Sequence, residues 1–136
     1  SENIKKRGAF TVSIADIPHM EAADFFGIAT GNKMEDKFER SGLTAVKSQK
    51  VDAPVVQEFP LTLECRVVED KMEVYGHHVI GEIVGVLADE AVLDEKGKVD
   101  PAKLNAFVFD QFQNGYYAIG EKVGQAWRTG APLMKK

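Results

Sequence analysis

A single cysteine stands among the 136 residues, so the chain can close no internal disulfide, and a lone Cys65 suits a reducing compartment such as the cytoplasm. Long apolar runs are missing as well. None approaches the roughly 20 residues that a membrane span needs, and no apolar segment follows Ser1-Glu2-Asn3-Ile4-Lys5-Lys6-Arg7 as a signal peptide would require. Positive charge is not in excess: the net charge of −4 and a pI near 5.4 argue against general nucleic-acid binding, which needs a concentrated basic surface. The short Lys5-Lys6-Arg7 run reads as the solvated end of a helix.

Several chemical signatures are absent too. Gly81 and Gly85 sit inside a predicted strand, not at its end, so they form no nucleotide-binding fingerprint. Metal-site spacing is lacking, because adjacent His77 and His78 on a strand point to opposite faces and His19 is remote in sequence. A serine or cysteine triad has no support, since Cys65 reads as a buried, inert thiol. There is no internal repeat and no low-complexity linker.

What is present describes one ordinary domain. Hydrophobic content of 44% and charged content of 28% are usual for a soluble globular chain, and the length suffices for a real core. Residues 2–7 read as a helix end capped by Gly8. Phe10, Val12 and Ile14 alternate as a half-buried strand. Residues 19–26 show helical spacing, and a helical turn over 35–40 is closed by Gly42. Pro54 limits the extended pieces around it to an edge or a loop.

Leu61, Leu63, Cys65 and Val67 alternate on one face, which predicts Cys65 in the core. A turn is predicted at Asp70-Lys71, and residues 79–87 form the strongest strand. Its Gly81 and Gly85 share a face against something bulky or a neighbouring backbone. Asp100-Pro101 opens a short helix through Leu104. Phe107-Val108-Phe109-Asp110 is extended, residues 116–119 form a short apolar stretch, residues 120–127 read as a final helix, and 131–136 as a loose tail. About six strands without a crossover rhythm favour a largely antiparallel, mainly β barrel with peripheral helices.

The residues that could carry chemistry are scattered: Lys37 in the stretch Asp24-Phe25-Phe26-Gly27 to Asp36-Lys37-Phe38, the His77-His78 pair, and Phe107, Phe109, Tyr116 and Tyr117. Each has a structural explanation, as a solvated lysine, a strand-end histidine or core aromatics. From the residues alone the reading stops at a soluble α+β or β-barrel domain.

Several phrases, in order along nearly the whole chain, carry a resemblance. They are Glu2-Asn3-Ile4 with Gly8-Ala9-Phe10-Thr11-Val12, Ala22-Ala23-Asp24-Phe25-Phe26-Gly27, Thr30-Gly31-Asn32-Lys33 with Asp36-Lys37-Phe38, and Val51-Asp52-Ala53-Pro54. Further on come Leu63-Glu64-Cys65, Gly81-Glu82-Ile83, and Tyr116-Tyr117 with Gly120. Together they resemble the FMN-binding split-barrel proteins of the flavin reductase-like, flavoredoxin-type family.

The resemblance implies an antiparallel split barrel over residues 1–136, corresponding to the C-terminal portion of the family domain. Family members begin with several further strands ahead of the Glu-Asn-Ile helix, and those strands supply part of the flavin site. It implies FMN as cofactor, NAD(P)H as donor, a homodimer, and a flavin, metal chelate or partner protein as electron acceptor. Lys37 matches a lysine that approaches the flavin, where a cation stabilises the negative charge on the reduced ring. His77 or His78 resembles a histidine near the flavin or the nicotinamide donor. Phe109 and Tyr116 match aromatics near the ring, and Thr30 and Asn32 offer hydrogen bonds from their turn. Two other roles stay open: an FMN-binding electron-transfer protein without its own reductase activity, and a truncated, non-catalytic dimerisation module.

Overall fold

The computed structural model describes residues 2–29 and 34–134, and its elements are mostly short strands. Helix α1 (Glu2–Arg7) ends where the Gly8 amide donates to Ile4 O at 2.8 Å. Gly8 takes φ +61°, a left-handed value that disfavours a side chain and marks the predicted helix cap. Strand β1 (Ala9–Ile14) then runs antiparallel along β4 (Leu61–Glu73), from Ala9 opposite Arg66 to Ile14 opposite Leu61. β4 also pairs antiparallel with β5 (Gly76–Ala88), so β4 is the centre of a three-stranded sheet in the order β1-β4-β5.

Between β1 and β4 the chain makes helices α2 (Met20–Ile28) and α3 (Lys37–Arg40), then the two-stranded pair β2 (Ala45–Lys47) and β3 (Pro54–Val56). That pair is fixed beside β1, where Thr11 Oγ1 donates to Pro54 O at 2.5 Å. After β5, α4 (Pro101–Leu104) opens as predicted: Asp100 accepts the Ala102 amide, and proline sits in the first turn. The hairpin β6 (Phe107–Asp110) and β7 (Gly115–Ala118) follows, tied back by an isolated bridge between Asp16 and Ala106. The fold is mainly β, antiparallel and not closed into a continuous barrel, the arrangement of a split barrel. Among the described residues no helix is long and apolar enough to cross a membrane.

Four sequence expectations change. The Asp70-Lys71 turn is not formed: β4 runs through it to Glu73, and the chain reverses at exposed Val74 and Tyr75. Side-chain contacts accompany the extended ribbon there, with Lys71 Nζ 2.8 Å from Glu69 and His77 2.6 Å from Asp70. The helix over 120–127 is also absent. Gly120 and Gly124 dilute helix propensity, and fully exposed Val123 shows that no packing surface offsets the deficit. Residues 131–136 are not wholly loose, since Ala131–Met134 form a 3-10 turn.

The fourth change concerns β4. Cys65 is buried as expected, and burial pushes its thiol up from the ordinary range. Thr62 and Glu64, however, are the most deeply buried side chains, while Leu61 and Leu63 are only half-buried. Polar partners reverse the alternation: Thr62 shares a hydrogen bond with Ser13 at 2.9 Å, and Glu64 receives one from Ser48 at 2.5 Å. A register shift between Glu64 and Cys65 then lets two successive residues both face inward.

The glycines of β5 do lie against bulk. A side-chain carbon at Gly81 would meet the Phe10 ring at 2.5 and 2.7 Å and Cys65 Cβ at 3.2 Å. At Gly85 it would collide with the Glu64 carboxylate and meet Lys50 Cδ at 2.7 Å. The buried apolar core is otherwise small, made of Ala9, Ala53, Val55, Phe59, Cys65, Val92 and Ala106. Ile80, Ile83 and Val86 of β5 are each more than half exposed, and so are Val123, Trp127, Leu133 and Met134 of the C-terminal arm.

Candidate functional site

Helix α2 gathers two of the residues singled out from the sequence. On one side, Lys37 Nζ donates to Phe26 O at 2.8 Å and lies 5.5 Å from the Phe26 ring centre, while Phe26 stacks on Phe38 at 5.7 Å. The lysine therefore satisfies a carbonyl of the last helical turn, an acceptor that a helix end leaves open. An ammonium has three N–H donors, so this bond leaves capacity for a second acceptor.

On the other side, Tyr116 of β7 donates through its hydroxyl to Asp24 Oδ1 at 2.6 Å. Tyr116 also packs edge-on to Phe107 at 5.2 Å and tilted to Phe109 at 5.7 Å. Phe109 is 52% exposed and Tyr116 39%, so the hairpin presents aromatic surface outward and does not bury it. This is surface that a planar ring can cover. Thr30 and Asn32 lie outside the described residues.

The Asp24 hydrogen bond holds the Tyr116 phenol above its ordinary range. A raised value means that folding favours the protonated phenol. Its contribution is complete below the unfolded phenol's range and is lost as pH rises through the folded value. Ultraviolet titration should show a late-ionising tyrosine, and Tyr116→Phe or Asp24→Asn should remove that late step. A titration curve unchanged by either substitution would contradict the contact.

His77 and His78 sit within β5, not ahead of it, and they separate as strand neighbours must. His78 stands opposite Lys71 and is exposed. His77 is half-buried, opposite Met72, with Nε2 2.6 Å from Asp70 Oδ1. No hydrogen bond or ring contact among the described residues joins this pair to the α2 group. Register explains the distance: α2 follows the end of β1 that pairs with Leu61, whereas His77 pairs with Met72, far along the same strand.

His19 is absorbed structurally, with Nδ1 2.5 Å from Asp16 and its ring edge-on to Phe59. Among the described residues no group of three or more His, Cys, Asp or Glu could hold a metal ion.

A cavity of about 630 Å³ lies elsewhere, between α1, β1 and the β2–β3 pair. Arg7 and Lys47 stand in its wall, and Arg7 Nη1 is 3.0 Å from Asp52. None of the residues selected from the sequence lines it. Size alone would place a ligand there, but the exposed aromatics and the half-buried His77–Asp70 pair carry the more specific chemistry. Sequence reasoning missed Asp70, Ser48 and Glu64. The available signal for Asp70 was a hairpin register that makes an acid the diagonal neighbour of His77, and it was hidden once a turn was assigned at that acid.

The comparisons with known proteins agree with this architecture. The family described as "Flavin reductase like domain" matches residues 1–114, and the chain belongs to that family. Flavoredoxin of Desulfovibrio vulgaris (Miyazaki F) is 39% identical with a TM-score of 0.87, over 95% of this chain and 68% of that one. Flavoredoxin from Methanosarcina acetivorans is 28% identical with a TM-score of 0.89, over 98% and 69%. An uncharacterised protein of Archaeoglobus fulgidus is 36% identical over 98 residues, covering 71% of this chain and 54% of the relative. The chain spans about half the length of the curated relatives it matches.

Proposed function

We propose that this chain is the flavin-binding part of a cytoplasmic, homodimeric FMN-dependent oxidoreductase. NAD(P)H is the donor, and a flavin, a metal chelate or a protein is the acceptor. The observation that carries the reading is the 39% identity to a flavoredoxin over 95% of the chain, together with family membership. FMN supplies the hydride and electron chemistry when bound; the protein positions it and tunes its surroundings.

The residues present suit such a group. Phe109 and Tyr116 offer partly exposed aromatic faces, and Lys37 brings a cation held in place by Phe26 O. The open sheet edges and exposed Ile80, Ile83 and Val86 support completion of the site by further strands or by a second copy.

Titrating FMN into the 136-residue chain and following flavin fluorescence tests the reading. Saturable binding is expected, weakened about tenfold in Lys37→Met, a loss on the order of one charge-assisted hydrogen bond. A chain that leaves FMN fluorescence unchanged at all concentrations would sink the proposal and favour a non-catalytic dimerisation module. Flavin bound without any NAD(P)H oxidation would select the electron-transfer protein that the flavoredoxin matches also suggest.

A further inference from the structure

We infer that Arg7, Lys50 and Arg66 form a second binding site on this chain, an anion site that takes a phosphate group. It lies apart from the proposed flavin site and does not rest on that reading.

Local chain geometry brings the three cations together. They line one open cleft of about 350 Å³ between the end of α1, the turn before β3 and the β4–β5 pair. Gly8 turns the chain with its left-handed φ, so Arg7 stands just before Ala9, which is opposite Arg66 on β4. Ser48 fixes the turn, its Oγ accepting the amides of Lys50 and Val51 at 3.1 and 3.0 Å. Gly85 clears the path of the lysine: a Cβ there would stand 2.7 Å from Lys50 Cδ and 3.2 Å from Nζ.

Each cation is held by a tether that leaves other donors free. Arg7 Nη1 donates to Asp52 Oδ1 at 3.0 Å, Arg66 Nη2 to Glu82 Oε2 at 2.6 Å, and Lys50 Nζ to Val84 O at 3.3 Å. A guanidinium carries five N–H donors and an ammonium three, so capacity remains on all three side chains. The two arginines are 53% and 65% exposed, within reach of a solute. Side chains tethered before a ligand arrives lose less freedom on binding it.

The charge balance selects an anion. The chain as a whole carries −4, yet Asp52 is the one acid among the described residues that line this cleft. Glu82 engages Arg66 from outside the lining, and Glu64, behind Lys50, takes its hydrogen bond from Ser48. Two arginine forks and an ammonium suit the three acceptor oxygens of a phosphate group better than the two of a carboxylate. The cavity of about 630 Å³ shares Arg7, Ala9 and Asp52 with this cleft and adds Lys47 and apolar Phe10 and Val46. It offers room for the apolar body of a phosphate ester. Strand β1 separates the site from the flavin group: α2 follows its Ile14 end, and the cleft lies at its Ala9 end, about 17 Å away along the strand.

Amide NMR of the 136-residue chain, titrated with inorganic phosphate at low salt, tests the inference. At about pH 8 the added ion is mostly the dianion. Saturable shifts are expected at Gly8, Val51 and Val84. Lys50→Met and Arg66→Met should each weaken binding about tenfold, one charge-assisted hydrogen bond apiece. Arg66→Lys, which keeps the charge, should recover part of the affinity. Lys122→Met removes the same charge from the exposed C-terminal arm and should leave binding unchanged.

Phenyl phosphate separates the two sources of such a group. Binding tighter than that of the free ion assigns the site to a phosphate ester, and equal binding assigns it to phosphate itself. Shifts that never saturate, or that scatter over the lysines of the whole surface, would overturn the inference. So would an equal loss in Lys122→Met, or acetate bound as tightly as phosphate.

Discussion

Replacing Gly81 by valine should lower the thermal midpoint by about 10 °C, which corresponds to about 3 kcal/mol for a domain of this size. The added Cβ would meet two carbons of the Phe10 ring at 2.5 and 2.7 Å and Cys65 Cβ at 3.2 Å. Distances under 3 Å cannot persist, so the ring or the strand must move. Phe10 is not free to swing away: it belongs to β1 and sits directly opposite Cys65 on the central strand. The new branches therefore either displace the aromatic from the sheet or push β5 off β4. Gly120→Val supplies the control, because nothing lies within 4 Å of a Cβ built there and its backbone takes no left-handed value. Calorimetry of the two variants should separate them clearly. Equal midpoints would show that Phe10 does not pack on Gly81.

Ser48→Ala should cost about 3 kcal/mol although it removes one oxygen atom, because that oxygen makes three hydrogen bonds in a buried place. Ser48 Oγ donates to Glu64 Oε1 at 2.5 Å and accepts the amides of Lys50 and Val51 at 3.1 and 3.0 Å. Glu64 is 1% exposed and its other oxygen already lacks a partner. Losing the serine leaves both carboxylate oxygens without a hydrogen bond, the most expensive form of polar burial. The double variant Ser48→Ala with Glu64→Leu should recover part of the loss, since removing both partners spares the desolvated group. Urea denaturation of the single and double variants measures the difference. A single substitution that shifts stability by less than about 0.5 kcal/mol would mean that solvent reaches Glu64.

These two sites also mark where the fold was legible in the sequence. Gly81 and Gly85 announced close approach because glycine inside an otherwise β-branched strand has few other uses. Gly8 and Asp100-Pro101 marked helix ends through local backbone chemistry, which needs no knowledge of tertiary neighbours. Ser48 and Glu64 gave no such sign. An acid in an alternating strand reads as solvent-facing until a segment sixteen residues earlier is known to cover it. The β4–β5 ribbon failed in another way. Its distal half packs on little, so no apolar period distinguishes strand from turn, and Asp70-Lys71 looked like a reversal.

The candidate site was legible in part for the same reason. Lys37 and Tyr116 were singled out from the sequence, but their partners Phe26 O and Asp24 lie eleven and ninety-two residues away and follow only from the packing of α2. His77 and His78 could not be ranked in sequence. Burial and the bond to Asp70 separate them once the register is known.

The exposed C-terminal arm has one more consequence. It carries Trp127, the single indole of the chain, at 97% exposure and a φ of +61°. Tryptophan fluorescence, excited where tyrosine does not absorb, thus comes from one position that touches almost nothing. Whatever covers that arm, be it a second copy, a flavin within energy-transfer range or a protein acceptor, changes the polarity around one emitter. The colour and intensity of its light therefore report assembly without any added label.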